Sequence, residues 1–142
     1  MAHDKFPCEV LTPEGEIFND EVEMVSTRTE SGEIGILARH QPLLGLLRPT
    51  DLRLYRTESD IVHFAQGEGY VQVSEKGVLL LVEEAIRPED LDAADLRSRI
   101  GKAEQAVADA EQGSEAQQAA RRDLRRNEAF LRVAEGRSIT DH

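Results

Sequence analysis

Cysteine, long apolar runs and positive charge are all scarce in this sequence of 142 residues. Cys8 is the only cysteine, so an internal disulfide is excluded, and its apolar surroundings favour a small core side chain. No apolar run reaches the ~18–20 residues that a membrane-spanning helix needs. The first residues lack the basic and apolar regions of a signal peptide, and strand-like sequence begins at Phe6. We therefore expect a cytoplasmic protein.

The shortage of positive charge is uneven along the chain. The sequence holds 17 Lys and Arg against 28 Asp and Glu, a formal net charge of −11. Residues 1–86 contain 7 basic against 16 acidic residues, whereas residues 87–142 contain 10 against 12. An acidic chain repels nucleic-acid phosphates and anionic lipid headgroups. We expect no nucleic-acid partner and no direct insertion into a membrane.

Recognisable catalytic and ligand-binding motifs are missing too. There is no G-x-x-x-x-G-K-[ST] phosphate loop and no G-x-S-x-G nucleophile turn. The histidines are scattered, without the spacing of a zinc site: His3, His40, His63 and His142. A group of acidic residues does not match a calcium loop and is interpreted as the wet face of a strand: Asp20, Glu21 and Glu23. We expect a non-catalytic protein without cofactor or metal.

Residues 1–86, here called the head, have the pattern of a β-rich domain. Apolar and polar residues alternate in short stretches at 6–10, 21–24, 51–54 and 70–73. Residues 78–82 are apolar throughout, which predicts a strand that is covered on both sides. Turn residues recur every 8–12 positions along the head. This spacing predicts an antiparallel sandwich or barrel.

Residues 87–142, here called the arm, have the pattern of an antiparallel helical hairpin. Pro88 and the acidic residues beside it suit the first turn of a helix. Gly113 separates two helical patterns, Ser114 and Gln117 form a capping box, and Gly136 ends the second helix. The short connection predicts antiparallel helices of roughly 20–25 residues each. Their apolar seams have steps of four and three: Leu96, Ile100, Ala103, Val107 and Ala110, then Ala120, Leu124, Asn127, Leu131 and Ala134.

Alanine dominates the half of this seam that lies near the turn. Replacing leucine by alanine removes roughly three carbons at ~0.8 kcal/mol each, so weak pairing of the helices is expected. Two interpretations remain open. The hairpin is either a switch that opens, or a permanently closed unit in which alanine permits close approach.

Two features of the sequence carry functional information. Residues 31–44 are too irregular for a plain strand, and by themselves favour a turn followed by a core histidine, His40. The second feature is an arginine cluster with like-charge pairs at i, i+4: Arg121, Arg122, Arg125 and Arg126. In an acidic protein such a cluster indicates an acidic or phosphate-bearing partner, or else a solvated helix face.

The segment around Glu33 and His40 closely resembles the signature of the epsilon subunit of bacterial F-type ATP synthases. Gly32-Glu33-Ile34-Gly35-Ile36 is followed by His40, Pro42, Leu43 and Leu44. The resemblance continues at residues 10–15, 67–71 and 85–92, in the same order over essentially the whole chain.

This resemblance implies a fold, partners and a location. The head would be a β-sandwich of about ten strands that binds the gamma subunit and the c-ring of a proton-translocating enzyme. Five residues would lie at that contact: Gly32, Glu33, Gly35, His40 and Pro42. The arm would fold against the head or extend along the stalk, where it inhibits ATP hydrolysis by the alpha/beta hexamer. Four arginines would contact an acidic segment of the beta subunit: Arg121, Arg122, Arg125 and Arg126. The chain would be peripheral, at the cytoplasmic face of the bacterial plasma membrane.

An alternative function is an ATP-sensing module whose hairpin closes on bound nucleotide. Some family members bind ATP through an [IL]-D-x-x-R-A motif at the first helix. Leu91 and Asp92 match this motif, but Asp95 replaces the arginine and Leu96 the alanine. Because a carboxylate repels a triphosphate, Leu91 and Asp92 are interpreted as a vestigial nucleotide site. We expect weak or absent ATP binding.

Overall fold

The computed structural model describes residues 3–136, which form a β-structured head followed by a helical arm. The strands of the head are β1 (Phe6–Thr12), β2 (Gly15–Val22), β3 (Met24–Thr29), β4 (Gly32–Ile36), β5 (Leu43–Leu47), β6 (Thr50–Tyr55), β7 (Ile61–Gln66), β8 (Gly69–Ser74), β9 (Gly77–Val82) and β10 (Ala85–Ile86). The arm contains a 3₁₀ turn (Pro88–Asp90), α1 (Ala93–Asp109) and α2 (Glu115–Ala134). Within residues 3–136 no helix combines the length and hydropathy needed to cross a membrane.

The ten strands form one sheet that folds over on itself. Nine follow the order β10-β7-β6-β3-β5-β8-β9-β1-β2, and β4 pairs with β3. β1 pairs with β2 in antiparallel and with β9 in parallel orientation. The alternating apolar side chains meet inside the fold, where Leu52, Leu54 and Val71 are fully buried. The predicted fold class, a β-sandwich head followed by a helical hairpin, is confirmed.

The prediction of one strand through residues 21–24 is wrong. β2 ends at Val22 and β3 begins at Met24, with a bend at Glu23 between them. Glu23 is only 6% exposed, so it does not lie on a wet strand face. Its backbone N–H donates a hydrogen bond of 2.6 Å to the carbonyl oxygen of Tyr55. This backbone contact holds the bend against β6.

The prediction that residues 78–82 are covered on both sides is also wrong. In β9, Leu80 is fully buried but Leu81 is 45% exposed. Leu79 is partly exposed on the same outer face. The described chain therefore covers only the inner face of this apolar strand.

Residues 31–44 form more regular structure than their sequence indicates. β4 pairs with β3 in a simple antiparallel register from Gly32 to Ile36, and only residues 37–42 form a loop. His40 lies in that loop and is partly exposed, so the interpretation as a core histidine is wrong. The two glycines in β4 made the strand hard to recognise, because glycine is depleted in strands.

The ends of the arm helices are set by local hydrogen bonds. Asp92 caps α1 by accepting from the Asp95 N–H at 3.1 Å, so Pro88 lies in a separate 3₁₀ turn rather than in the helix. At 17 residues, α1 is shorter than expected. Ser114 caps α2 as predicted, with 3.1 Å from the Gln117 N–H to its Oγ. The Gln117 side chain reaches back to the Gly113 N–H at 2.8 Å, one residue beyond a standard capping box.

The arm is closed on the head in this structure. α2 lies against β6 and β7, and a second apolar core forms at the contact, separate from the core of the head. Phe130 is fully buried there, together with Ala129, Val133 and Leu96 from the arm and Ala65 from the head. Phe130 lies beside the predicted seam rather than in it, so α2 uses a second face to bind the head.

Candidate functional site

The five head residues predicted at a partner contact lie in two groups. Gly32 and Glu33 start β4 next to the β3–β4 turn, whereas His40 and Pro42 lie in the loop after β4. The four strand steps of β4 separate these ends by about 13 Å. The structure therefore does not gather the five residues into one cluster, although all of them lie along the same edge segment of the head.

The two glycines of β4 differ in whether the backbone conformation requires glycine. Gly32 has φ +121°, a left-handed conformation that side chains rarely adopt, so the turn itself requires glycine. Gly35 has no such constraint, and a Cβ there would lie at ordinary contact distance, 3.8 Å, from the Met24 Sδ. Packing inside the head therefore does not require glycine at position 35.

The polar members of this group are only loosely held. The Glu33 side chain is 51% exposed and its Oε1 lies 4.0 Å from the Arg28 Nη2, a weak surface contact. The His40 Nδ1 lies 2.8 Å from the Gln41 carbonyl oxygen, which fixes the ring against its own loop. Pro42 is exposed, beside a hollow of about 240 Å³ that His40 also lines.

An apolar stripe crosses the outer face of four neighbouring strands. Leu46 of β5 lies opposite Tyr70 of β8, Tyr70 opposite Leu81 of β9, and Leu81 opposite Leu11 of β1. We call Leu11, Leu46, Tyr70 and Leu81 the outer stripe. Leu46, Tyr70 and Leu81 are 43%, 54% and 45% exposed, and the stripe lines a depression of about 590 Å³.

The sequence analysis did not identify the outer stripe, because its apolar residues cannot be distinguished by type from those of the buried core. Leu44, which is 74% exposed, extends the apolar surface beside the stripe. The signal was present in residues 43–47 and 78–82, where apolar residues occupy both faces of a strand. A contiguous exposed apolar surface of this kind is typical of a protein interface.

Arg126 joins the arm to the head. Its guanidinium donates two hydrogen bonds to the Glu84 carboxylate, from Nε at 2.5 Å and from Nη2 at 2.8 Å. It also donates to the Asn127 Oδ1 at 2.5 Å and lies over the Phe130 ring, 4.3 Å from its centroid. The hydrogen bond with Glu84 is the main cause that raises the pKa of Arg126, so its charge persists at all ordinary pH values.

The predicted arginine cluster is therefore divided in the closed arm. Arg126 is paired, but Arg121, Arg122 and Arg125 are exposed and have no ion-pair partner within residues 3–136. All three lie within α2 and are exposed to solvent in the closed arm. Their charge remains available to another molecule.

The residues of the vestigial nucleotide site have structural roles in the closed arm. Leu91 packs against the second core, and the Asp92 carboxylate caps α1. Asp95 forms an ion pair of 2.8 Å with Arg99 one turn later. The contacts that these three side chains make in the closed arm are all with the protein itself, and none of them requires a bound nucleotide.

Comparison with known proteins identifies the family. Residues 5–88 match the family model described as "ATP synthase, Delta/Epsilon chain, beta-sandwich domain". The ATP synthase epsilon chain of Halalkalibacterium halodurans is 37% identical over 129 residues, which is 90% of this chain and 90% of that relative. The chain belongs to the ATP synthase delta/epsilon family. ATP synthase epsilon chain 2 of Syntrophotalea carbinolica is 35% identical over 100 residues, covering 70% of this chain and 72% of the relative.

Solved structures of more distant ATP synthases share the fold of this delta/epsilon family member. A chain in the cryo-EM structure of the Euglena gracilis mitochondrial ATP synthase (OSCP/F1/c-ring) matches with a TM-score of 0.78 at 20% identity, over 89% of this chain and 79% of that one. A chain in the Tetrahymena thermophila central stalk/c-ring structure matches with a TM-score of 0.60 at 17% identity, over 94% and 99%. The resemblance to epsilon subunits drawn from residues 32–44 is confirmed.

Proposed function

We propose that this chain is a non-catalytic central-stalk subunit of a proton-translocating F-type ATP synthase. Its head connects the gamma subunit to the c-ring, and its arm inhibits ATP hydrolysis when it opens. The enzyme would hold it peripherally at the cytoplasmic face of a bacterial plasma membrane. The observation that carries the proposal is an arm closed on the head by a small separate core, with three exposed arginines that have no ion-pair partner within residues 3–136.

Two features of the head support binding to the stalk. The outer stripe supplies an apolar surface, and fully burying one exposed leucine contributes about 1.5–3 kcal/mol. β4 and its loop supply a second surface at Gly35, His40 and Pro42. We assign the outer stripe to the gamma subunit and the β4 loop to the c-ring.

The contact between arm and head supports a switch. The core of the head is built from residues of β1 to β10 and their loops, with no buried member from the arm among the residues described. Opening the arm would therefore leave that core intact. It would expose Phe130 and break the Arg126–Glu84 ion pair, which frees a fourth arginine. The four arginines could then bind an acidic segment of the beta subunit.

Removal of the arm tests this proposal in the assembled enzyme. We expect a chain ending at residue 87 to fold, to bind gamma as the full chain does, and to raise ATP hydrolysis severalfold. A second variant keeps the arm but carries Arg121→Ala, Arg122→Ala and Arg125→Ala. It should relieve inhibition to a similar extent if the arginines are what makes the arm inhibitory. Hydrolysis that is unchanged by the deletion would show that the arm is not inhibitory.

A further inference from the structure

A glycine between β7 and β8 has no role in the function proposed above. Gly67 is buried and belongs to residues 67–71, on which the family resemblance partly rests. Its backbone N–H donates a hydrogen bond of 3.0 Å to the carbonyl oxygen of Glu84, and the Glu83 N–H donates one of 2.9 Å to the carbonyl oxygen of Glu68. The connection from β7 to β8 therefore lies directly against the connection from β9 to β10, with Gly67 and Glu84 as neighbours.

The backbone around Gly67 does not itself require glycine. Gly67 is not among the glycines with positive φ. Beyond its chain neighbours, the backbone atom nearest to an added Cβ would be the Glu84 nitrogen, at an ordinary contact distance of 3.6 Å. Gly69 differs in this respect, because a Cβ there would lie 1.9 Å from the carbonyl oxygen of Leu81. Close approach of β9 explains Gly69 but not Gly67.

The side chain of Glu84 occupies the space that a Cβ at position 67 would need. The added Cβ would lie 3.0 Å from the Glu84 Cγ, whereas carbon atoms in contact are ordinarily ~3.5–4.0 Å apart. It would also lie 3.6 Å from the Glu84 Oε1, which is the oxygen that accepts the hydrogen bond from the Arg126 Nε. The Glu84 side chain therefore runs across the open side of Gly67 in the conformation in which it pairs with Arg126.

We propose that Gly67 is a positioning residue for closure of the arm. The missing side chain leaves the space that Glu84 occupies when both of its carboxylate oxygens accept hydrogen bonds from the Arg126 guanidinium. A methyl group at position 67 displaces the Glu84 Cγ, and the carboxylate moves with it. Paired hydrogen bonds to a guanidinium are sensitive to such a movement, because both must be aligned at once. The arm then keeps its apolar contact through Phe130 but loses its directed link to the head.

This role of Gly67 requires only the closed arm described above. It adds to the proposed function a head residue that sets how firmly the arm is held, and it is independent of whether the arm inhibits ATP hydrolysis. The two tests are separate, because closure is measured on the chain alone and inhibition on the assembled enzyme.

Labelling of an introduced thiol measures how often the arm opens. Ala129→Cys places a thiol in the second core, where Ala129 is 6% exposed. The native Cys8 does not compete for the reagent, because it is fully buried and its pKa is raised to about 12. In the Ala129→Cys chain we expect Gly67→Ala to speed labelling by a maleimide about three- to tenfold, the range that the strain of one off-rotamer side chain produces. Gly45→Ala is the matched control, since it adds the same methyl group within β5 at an ordinary contact distance of 3.5 Å, and it should leave the labelling rate unchanged.

Removal of either partner of the ion pair separates positioning from a general loss of packing. In Glu84→Ala the Cγ that the added methyl group would meet is gone, so Gly67→Ala should not speed labelling further. In Arg126→Ala the Glu84 side chain is free to move aside, and Gly67→Ala should again have no further effect. Equal acceleration with and without the ion pair would mean that the methyl group disturbs the fold rather than Glu84, and this result would overturn the proposal. So would an unchanged labelling rate when Gly67→Ala is made with the ion pair intact.

Urea unfolding of the head provides a second measurement. The midpoint in Gly67→Ala should equal that of the unaltered chain, because the methyl group meets a side chain rather than the backbone. A lowered midpoint that Glu84→Ala restores would still identify Glu84 as the group displaced. A lowered midpoint that Glu84→Ala does not restore would contradict the proposal.

Discussion

Burial raises the pKa of the Cys8 thiol from 9.0 to about 12, with desolvation as the larger cause and the nearby Glu9 carboxylate as the smaller. The side chain is fully buried in the core of the head, as its alternating sequence predicts. Because the thiolate is the nucleophile, a thiol that stays protonated under ordinary conditions is inert. The single cysteine thus acts as a small apolar side chain of β1.

Because of this pKa shift, the stability of the head decreases at alkaline pH. A raised pKa in the folded state contributes stability that is fully present below pH 9.0, the unfolded value, and is lost as pH rises towards about 12. In that window the unfolded thiol ionises while the folded thiol does not, and the loss reaches about 1.4 kcal/mol per pH unit. We expect Cys8→Ala to be less stable at pH 8 but to lose stability less steeply between pH 9 and 10.5. Urea unfolding of both proteins across that range measures the slopes, and parallel curves would contradict the expectation.

At the scale of secondary-structure elements, α2 is held on the head by two contacts of different kinds. Phe130 supplies apolar burial, and the Arg126–Glu84 pair supplies a directed, two-point link. The pair is largely shielded, with side-chain exposure of 25% for Arg126 and 32% for Glu84. An ion pair that is shielded from solvent and has two hydrogen bonds contributes more to stability than an exposed one.

A double-mutant cycle on this pair tests its contribution to arm closure. We expect Arg126→Ala and Glu84→Gln each to speed amide hydrogen exchange in α2 while leaving β8 unchanged. The coupling between them should be about 1–2 kcal/mol. Arg122→Ala, one turn earlier on the helix and exposed, is the matched control and should have no effect. Additive effects of the two changes would mean that the ion pair does not hold the arm.

Local periodicity explains how much of these elements the sequence predicts. Period-two alternation identifies strands such as β6 and β8, and steps of four and three identify both helices, because each pattern depends on neighbouring residues only. The start of α1 and the bend at Glu23 differ from the prediction because they depend on hydrogen bonds with specific partners, Asp92 and Tyr55.

The candidate site was less predictable, since it depends on which element covers which face. The sequence shows the arginine cluster, but it does not show that one arginine is paired with the head while the other three are exposed. Arg122 and Arg126 have the same spacing pattern, and only Arg126 reaches Glu84, which is 42 residues away in sequence. The outer stripe was hidden for the same reason, because nothing local distinguishes Leu81 from the buried Leu80.

At the scale of the whole molecule, the sheet order separates two surfaces. The arm packs on β6 and β7 in one half of the sheet, whereas the outer stripe runs over β5, β8, β9 and β1 in the other half. A partner on the stripe therefore does not compete with the arm for the same strands. Under the proposed function, this separation would let the head stay attached to the stalk whether the arm is closed or open.

A charged substitution in the stripe tests this separation. We expect Leu81→Glu to weaken binding of the gamma subunit at least tenfold, because it places a carboxylate in a buried apolar interface. The free energy of unfolding should change by less than about 0.5 kcal/mol, since Leu81 faces outward. Ile17→Glu makes the same kind of change at an exposed position of β2, outside the stripe, and should leave gamma binding intact. Equal loss in both variants would argue against the stripe as the docking surface.

The parallel pairing of β1 with β9 sets the order of events during biosynthesis. Cys8 pairs with Val78, so β1 must leave the ribosome and wait for 70 further residues before its neighbour is translated. Until then the nascent chain carries an open strand edge, which exposes it to chaperones and to wrong pairing. The arm follows the head in the chain, so it is translated last. Because the described core of the head contains no buried residue of the arm, an error in arm docking would leave that core intact.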